Sequence, residues 1–117
     1  MGDTPISSDL MRGHIDTIIL GLLSGEDRYG YDLCKQVALL SDGEYELKEP
    51  TLYSAFRRME PAGLIRSYWG EGSQGARRKY YAITDEGKAA YRRNLEDWKR
   101  ARTLIDRLVS GEGEKEL

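Results

Sequence analysis

Apolar residues recur along the chain at helical spacing in three places. Ile15, Ile18, Ile19, Leu22 and Leu23 fall at i, i+3, i+4, i+7 and i+8, one stripe of an amphipathic helix. The pattern predicts that helix from about Asp9 to Leu23, stopped at Ser24-Gly25. A second helix is predicted from about Gly30 to Leu40, with Leu33, Val37 and Leu40 facing inward and Cys34 beside them as a small core residue. A third opens at Glu49-Pro50, where proline suits the first turn because its missing N–H would have had no partner there. In it Leu52, Ala55, Phe56 and Met59 repeat at i, i+3, i+4 and i+7 and must face the core, and Pro61-Ala62-Gly63 ends it.

Two strand-like runs follow, Leu64 to Trp69 and Arg77 to Ile83, joined by the glycine-rich stretch 70–76 as a flexible hairpin loop. Thr84 is the expected N-cap of a last helix, with Asp85 and Glu86 in its first turn. Gly87 stands where a capping-box glutamate would sit. That helix can run to about Val109, a length of ~39 Å at 1.5 Å per residue. Along it Tyr91, Leu95, Trp98, Ala101, Ile105 and Leu108 form a seam with coiled-coil-like spacing. So long a helix overshoots its own small core, and its far half needs another surface. A second copy of the chain, its last helix packed against helix one, is the simplest partner. Residues 1–8 and 110–117 read as flexible ends, 9–83 as the main domain and 84–109 as a dimerisation helix.

Three helices and then a β-hairpin is the order of a winged helix-turn-helix, mainly α with a single β-hairpin. At 117 residues the chain holds one modest core. Its longest near-apolar run, 18–23, is far short of the roughly 20 residues a membrane span needs. Asp3, Asp9 and Asp16 stand where a secretory leader would be basic, so a cytoplasmic location is expected. One cysteine and one histidine exclude an internal disulfide, a Cys-based zinc site and a His–His metal pair, so no metal or cofactor is expected. His14 reads as an exposed helix histidine. No nucleophile elbow, phosphate loop or spaced metal site is present, which argues against an enzyme.

Charge changes this picture. The net charge is −2, yet the segment Lys48–Tyr80 carries seven basic and three acidic residues, for +4, against −6 in the remainder. On a helical wheel, the face of the third helix opposite its core stripe holds Pro50, Ser54 and Arg57, flanked by Tyr53, Thr51 and Arg58, with no carboxylate among them. Hydroxyls and guanidinium donors on a helix suit the major groove of double-stranded DNA. Thr51, Tyr53, Ser54 and Arg57 are the expected groove-facing residues, with Arg57 reading a guanine edge. Lys48 at the turn and Arg77, Arg78 and Lys79 in the wing are expected to hold phosphates. An ordinary solvated face and a charge-protected edge strand are the alternatives, but both accommodate either sign of charge.

The stretch Glu49–Glu60 with Gly63-Leu64-Ile65 resembles the recognition-helix signature of PadR-type transcriptional regulators. So do Tyr29–Leu33 and Arg77–Gly87, in the same order. The resemblance spans about residues 10–109. Pro61 departs from it, since the family usually carries there a residue able to donate its N–H. The single long last helix is similar to the short-tailed branch, and Ser67–Gly70 and Ser73–Gly75 are similar to its multidrug-resistance regulators. The resemblance implies a homodimeric repressor on a pseudo-palindromic operator, often released by a small molecule. It also implies that flat aromatic effectors stack between the Trp98 side chains of two copies. Gly13, Asp16 and Thr17 would line that site, and Arg102, one turn beyond Trp98, would favour neutral or anionic compounds. A winged-helix module that binds protein instead of DNA is the rival reading, separable by salt dependence.

Overall fold

The computed structural model describes residues 6–72 and 75–111. Most of the expected flexible ends and Ser73-Gln74 of the hairpin loop lie outside those residues. The elements run α1 (Ser8–Met11), a 3-10 turn (Arg12–His14), α2 (Ile15–Gly25), β1 (Arg28–Tyr29), α3 (Gly30–Leu40), α4 (Glu49–Met59), β2 (Ile65–Glu71), β3 (Arg77–Ile83) and α5 (Asp85–Ser110). Ser8 and Ser110, expected in flexible ends, are thus the first and last residues of helices.

The first helix differs from the expected continuous one. Gly13, a poor helix former, sits in the break, and His14 adopts φ −115° and ψ 0° before α2 begins. The buried arc of α2 holds Ile15, Ile19, Leu20 and Leu23, while Ile18 and Leu22 are half-buried. Leu20, outside the predicted stripe, is buried because α2 packs against more than one neighbour: α3, α4, α5 and β3 all touch it.

Helix α3 buries Leu33 and Val37 as expected, but Leu40 is 73% exposed. The helix ends there, and the chain turns away through Asp42 (φ 55°) and Gly43 (φ 80°). Two residues of the following loop, Tyr45 and Leu47, fill the core instead. The turn is closed by Ser41, whose hydroxyl accepts from the Tyr45 N–H at 3.1 Å. Helix α4 buries Leu52, Ala55, Phe56 and Met59, the four residues its periodicity selects.

The hairpin forms one sheet with β1, in the order β1-β3-β2 and antiparallel throughout. Strand β1 was not foreseen, because two residues carry no readable alternation. Its Arg28 bridges two helices, donating to the Leu22 carbonyl at the end of α2 and to Asp32 in α3. At the start of α5, the Thr84 hydroxyl accepts from the Gly87 N–H at 3.0 Å. Gly87 is buried against the Leu64 carbonyl, with which any Cβ would collide. That contact explains why glycine replaces the capping-box glutamate.

Helix α5 lies against α2, where Gly21 leaves room for the ring of Tyr91. Beyond Ala101 it leaves the core, and Leu104, Ile105, Leu108 and Val109 are all exposed. The radius of gyration is accordingly 16.9 Å, against about 13 Å for a compact chain of this length.

Candidate nucleic-acid interface

Lys48 caps α4 with extended backbone and is exposed. Thr51 and Arg57 are exposed and Ser54 is half-buried on the side of α4 away from its core stripe. Among the described residues Arg57 has no carboxylate partner. Tyr53 is held more tightly than a free groove reader. Its ring lies edge-on to Phe56, centroids 5.4 Å apart, and its hydroxyl covers Gly30 at a position where a Cβ would come within 2.6 Å. Burial, and then the charge of Glu49, raise its phenol above the ordinary value.

The strand register decides which wing residues share a face. Ile65, Ser67, Trp69 and Glu71 lie opposite Ile83, Tyr81, Lys79 and Arg77. Directly opposed residues point the same way. This face is the one that α4 packs on: Tyr81 stacks on Phe56, and the Ser67 hydroxyl donates to Glu60 at 2.7 Å. Arg77 and Lys79 therefore extend the side that carries α4, joined by the exposed Trp69, over whose indole the Arg77 guanidinium lies at 5.3 Å. Glu71 opposes Arg77 on the same face and offsets part of its charge. Trp69 stands outside the residues that the charge and wheel patterns mark for DNA.

Arg78 points to the other face, half-buried with its guanidinium 4.3 Å over the Tyr29 ring. Tyr29, Tyr80 and Tyr68 continue from it as a ladder of rings. Tyr68 donates to Asp27 at 2.5 Å, and that hydrogen bond raises its phenol above the ordinary value. The ladder ties the wing to β1 and so fixes its angle to the helices.

The chain matches the model of the "Transcriptional regulator PadR-like family" over residues 19–93. It belongs to that family. Uncharacterized protein X of Lysinibacillus sphaericus is 39% identical over 106 residues, covering 91% of this chain and 97% of its own. A transcriptional regulator from Clostridium thermocellum is similar in structure with a TM-score of 0.80 and 47% identity, over 87% of this chain and 96% of its own. A PadR family transcription regulator from hypervirulent Clostridium difficile follows with a TM-score of 0.72 and 37% identity, over 82% and 98%. PadR-like proteins are transcriptional regulators and not enzymes. Among the described residues no helix is long and apolar enough to cross a membrane.

The second expected site lies between two copies, of which one supplies the following side chains. Trp98, Gly13, Asp16 and Thr17 line one cleft of about 510 Å³. Arg102 is exposed and lines neither that cleft nor the apolar cavity of about 400 Å³ on the other side of Trp98. The charges beside Trp98 come instead from Asp16, Asp97, Arg12 and Arg58. His14 is not the exposed histidine expected. It is half-buried with its ring edge-on to Trp98, centroids 5.0 Å apart. No sequence signal could have placed it there, since the turn of backbone at Gly13-His14 and the docking of α5 both set its direction.

Proposed function

We propose that this chain is a cytoplasmic, homodimeric, ligand-responsive repressor that binds a pseudo-palindromic operator in double-stranded DNA. The carrying observation is that Thr51, Ser54 and Arg57 lie on α4 away from its core stripe, while Arg77 and Lys79 lie on the sheet face that α4 packs on. A helix so equipped suits the major groove, and a cationic wing suits the adjacent backbone. PadR regulators bind DNA and typically dimerise. The exposed Leu104, Ile105, Leu108 and Val109 on the projecting half of α5 supply an apolar surface that a second copy would cover, with two recognition helices then set about one turn of DNA apart.

Ligand responsiveness is supported by the cleft at Trp98, whose indole and neighbouring His14 offer stacking partners to a flat aromatic compound. The preference for neutral or anionic effectors rests on Arg102, one turn beyond Trp98 on α5.

Footprinting on the DNA upstream of the protein's own gene, followed by gel shifts across a salt series, tests the reading. Lys48, Arg77 and Lys79 on phosphates predict a log K against log salt slope of about −2.7 per bound copy. A flat salt dependence with no protected sequence would favour a protein-binding module. Indole fluorescence titrations with flat aromatic compounds, in the parent and in Trp98→Ala, test the ligand site; equal affinity in both would remove it.

A further inference from the structure

The DNA-facing side of α4 contains no carboxylate of its own, yet the fold brings one to it. Asp16, in the first turn of α2, accepts a hydrogen bond from Arg58 of α4 at 2.5 Å. The two residues are 42 positions apart, and both side chains keep substantial contact with water, at 57% exposure for Arg58 and 39% for Asp16. Arg58 stands where two clefts meet. On one side it lines a shallow cleft of about 330 Å³ with Pro50, Thr51 and Ser54, the groove-facing surface. On the other it lines the cleft at Trp98 together with Asp16. Arg12 borders the same two clefts and is likewise held by a carboxylate, that of Asp9 at 2.6 Å. Arg57, the neighbouring cation, has no such partner among the described residues.

We propose that Asp16 is a positioning residue that withholds Arg58 from DNA phosphate, holding one cation of the recognition helix in reserve at the wall of the Trp98 cleft. The proposal rests on the DNA-binding reading above. Both partners line the Trp98 cleft, so a cation bound there can take Asp16 from the guanidinium. While Asp16 holds the guanidinium, Arg58 adds nothing to the counterions released on DNA binding. Freed, it lies beside Thr51 and Ser54 and adds one phosphate contact per bound copy. Anything that occupies Asp16 from the cleft side therefore changes the charge that α4 presents to DNA, with no movement of the helix itself.

The test uses the full chain and the operator fragment found by footprinting, with gel shifts or anisotropy at several salt concentrations. Asp16→Asn is expected to tighten binding and to steepen the log K against log salt slope by about 0.9 per bound copy. The gain then shrinks about 3.5-fold per copy between 50 and 200 mM salt. Arg58→Gln alone is expected to leave the parent slope unchanged, and the double variant is expected to return to it. A merely structural pair would shift melting temperature without moving the slope. The proposal is overturned if Arg58→Gln flattens the parent slope by about 0.9, which places Arg58 on phosphate already. It is equally overturned if Asp16→Asn leaves the slope where it was. Failure of the parent itself to bind any upstream fragment is a separate result, since it defeats the DNA-binding reading and this proposal with it.

Discussion

Phe56 of α4 and Tyr81 of β3 stack with ring centroids 3.7 Å apart and planes 17° from parallel. Both are buried, and the pair joins the inner side of the recognition helix to the root of the wing. In the proposed DNA complex the exposed strip of α4 and the cations of the hairpin act on one DNA segment, which requires a fixed angle between them. This stack, with the Ser67–Glu60 hydrogen bond beside it, supplies that constraint.

Phe56→Ala is expected to destabilise the fold by about 3–5 kcal/mol, the usual cost of deleting a buried phenylalanine. Urea denaturation followed by circular dichroism measures it. A loss below about 1 kcal/mol would mean that the neighbours collapse into the space and that the stack is dispensable.

Arg57→Ala and Lys79→Ala should differ in kind. Losing a base contact at Arg57 is expected to cost about 1–3 kcal/mol on the operator and little on unrelated DNA. Losing Lys79 is expected to weaken all sequences alike and to flatten the salt slope by about 0.9 per copy. Competition gel shifts with operator and scrambled DNA separate the two. Unchanged selectivity in Arg57→Ala removes it as a base reader.

Leu108 is 72% exposed on the projecting end of α5. Leu108→Asp is expected to turn a micromolar dimer into monomer in sedimentation velocity, because an unpaired carboxylate would be buried in the interface. A monomeric parent protein would defeat the dimer outright.

The fold is expected to weaken in alkali. Burial, followed by the charges of Glu49 and Glu46, raises the Cys34 thiol above its ordinary 9.0. Burial likewise raises Tyr45, Tyr53 and Tyr81 above 10.0. A group whose folded value is raised favours the protonated state, so its contribution is complete below the unfolded value and is lost as pH climbs through the folded one. The melting temperature should therefore hold at neutral pH and fall as pH climbs past the ordinary 9.0 of the thiol and 10.0 of the phenols. A flat profile across that window would show that these groups ionise without disturbing the core. The same shift makes Cys34 slow to react with thiol reagents at neutral pH, as a thiol and not a thiolate.

What the sequence by itself determined is whatever depends on near neighbours along the chain. The stripe Leu52, Ala55, Phe56 and Met59 named the buried side of α4 because residues three and four apart share a helix face in any context. Thr84 could be read as an N-cap because the N–H it satisfies, that of Gly87, is three residues away. The basic wing residues were equally visible, but their alternation left both sides open. Only the register with β2 assigned Arg77 and Lys79 to the side of α4 and Arg78 to Tyr29. The pairing of Asp16 with Arg58, the meeting of His14 with Trp98, the two-residue strand at Arg28-Tyr29 and the exposure of Leu40 belong to the tertiary structure alone. Each depends on how separate elements dock, and docking is decided by the summed packing of many distant side chains, which no local period encodes.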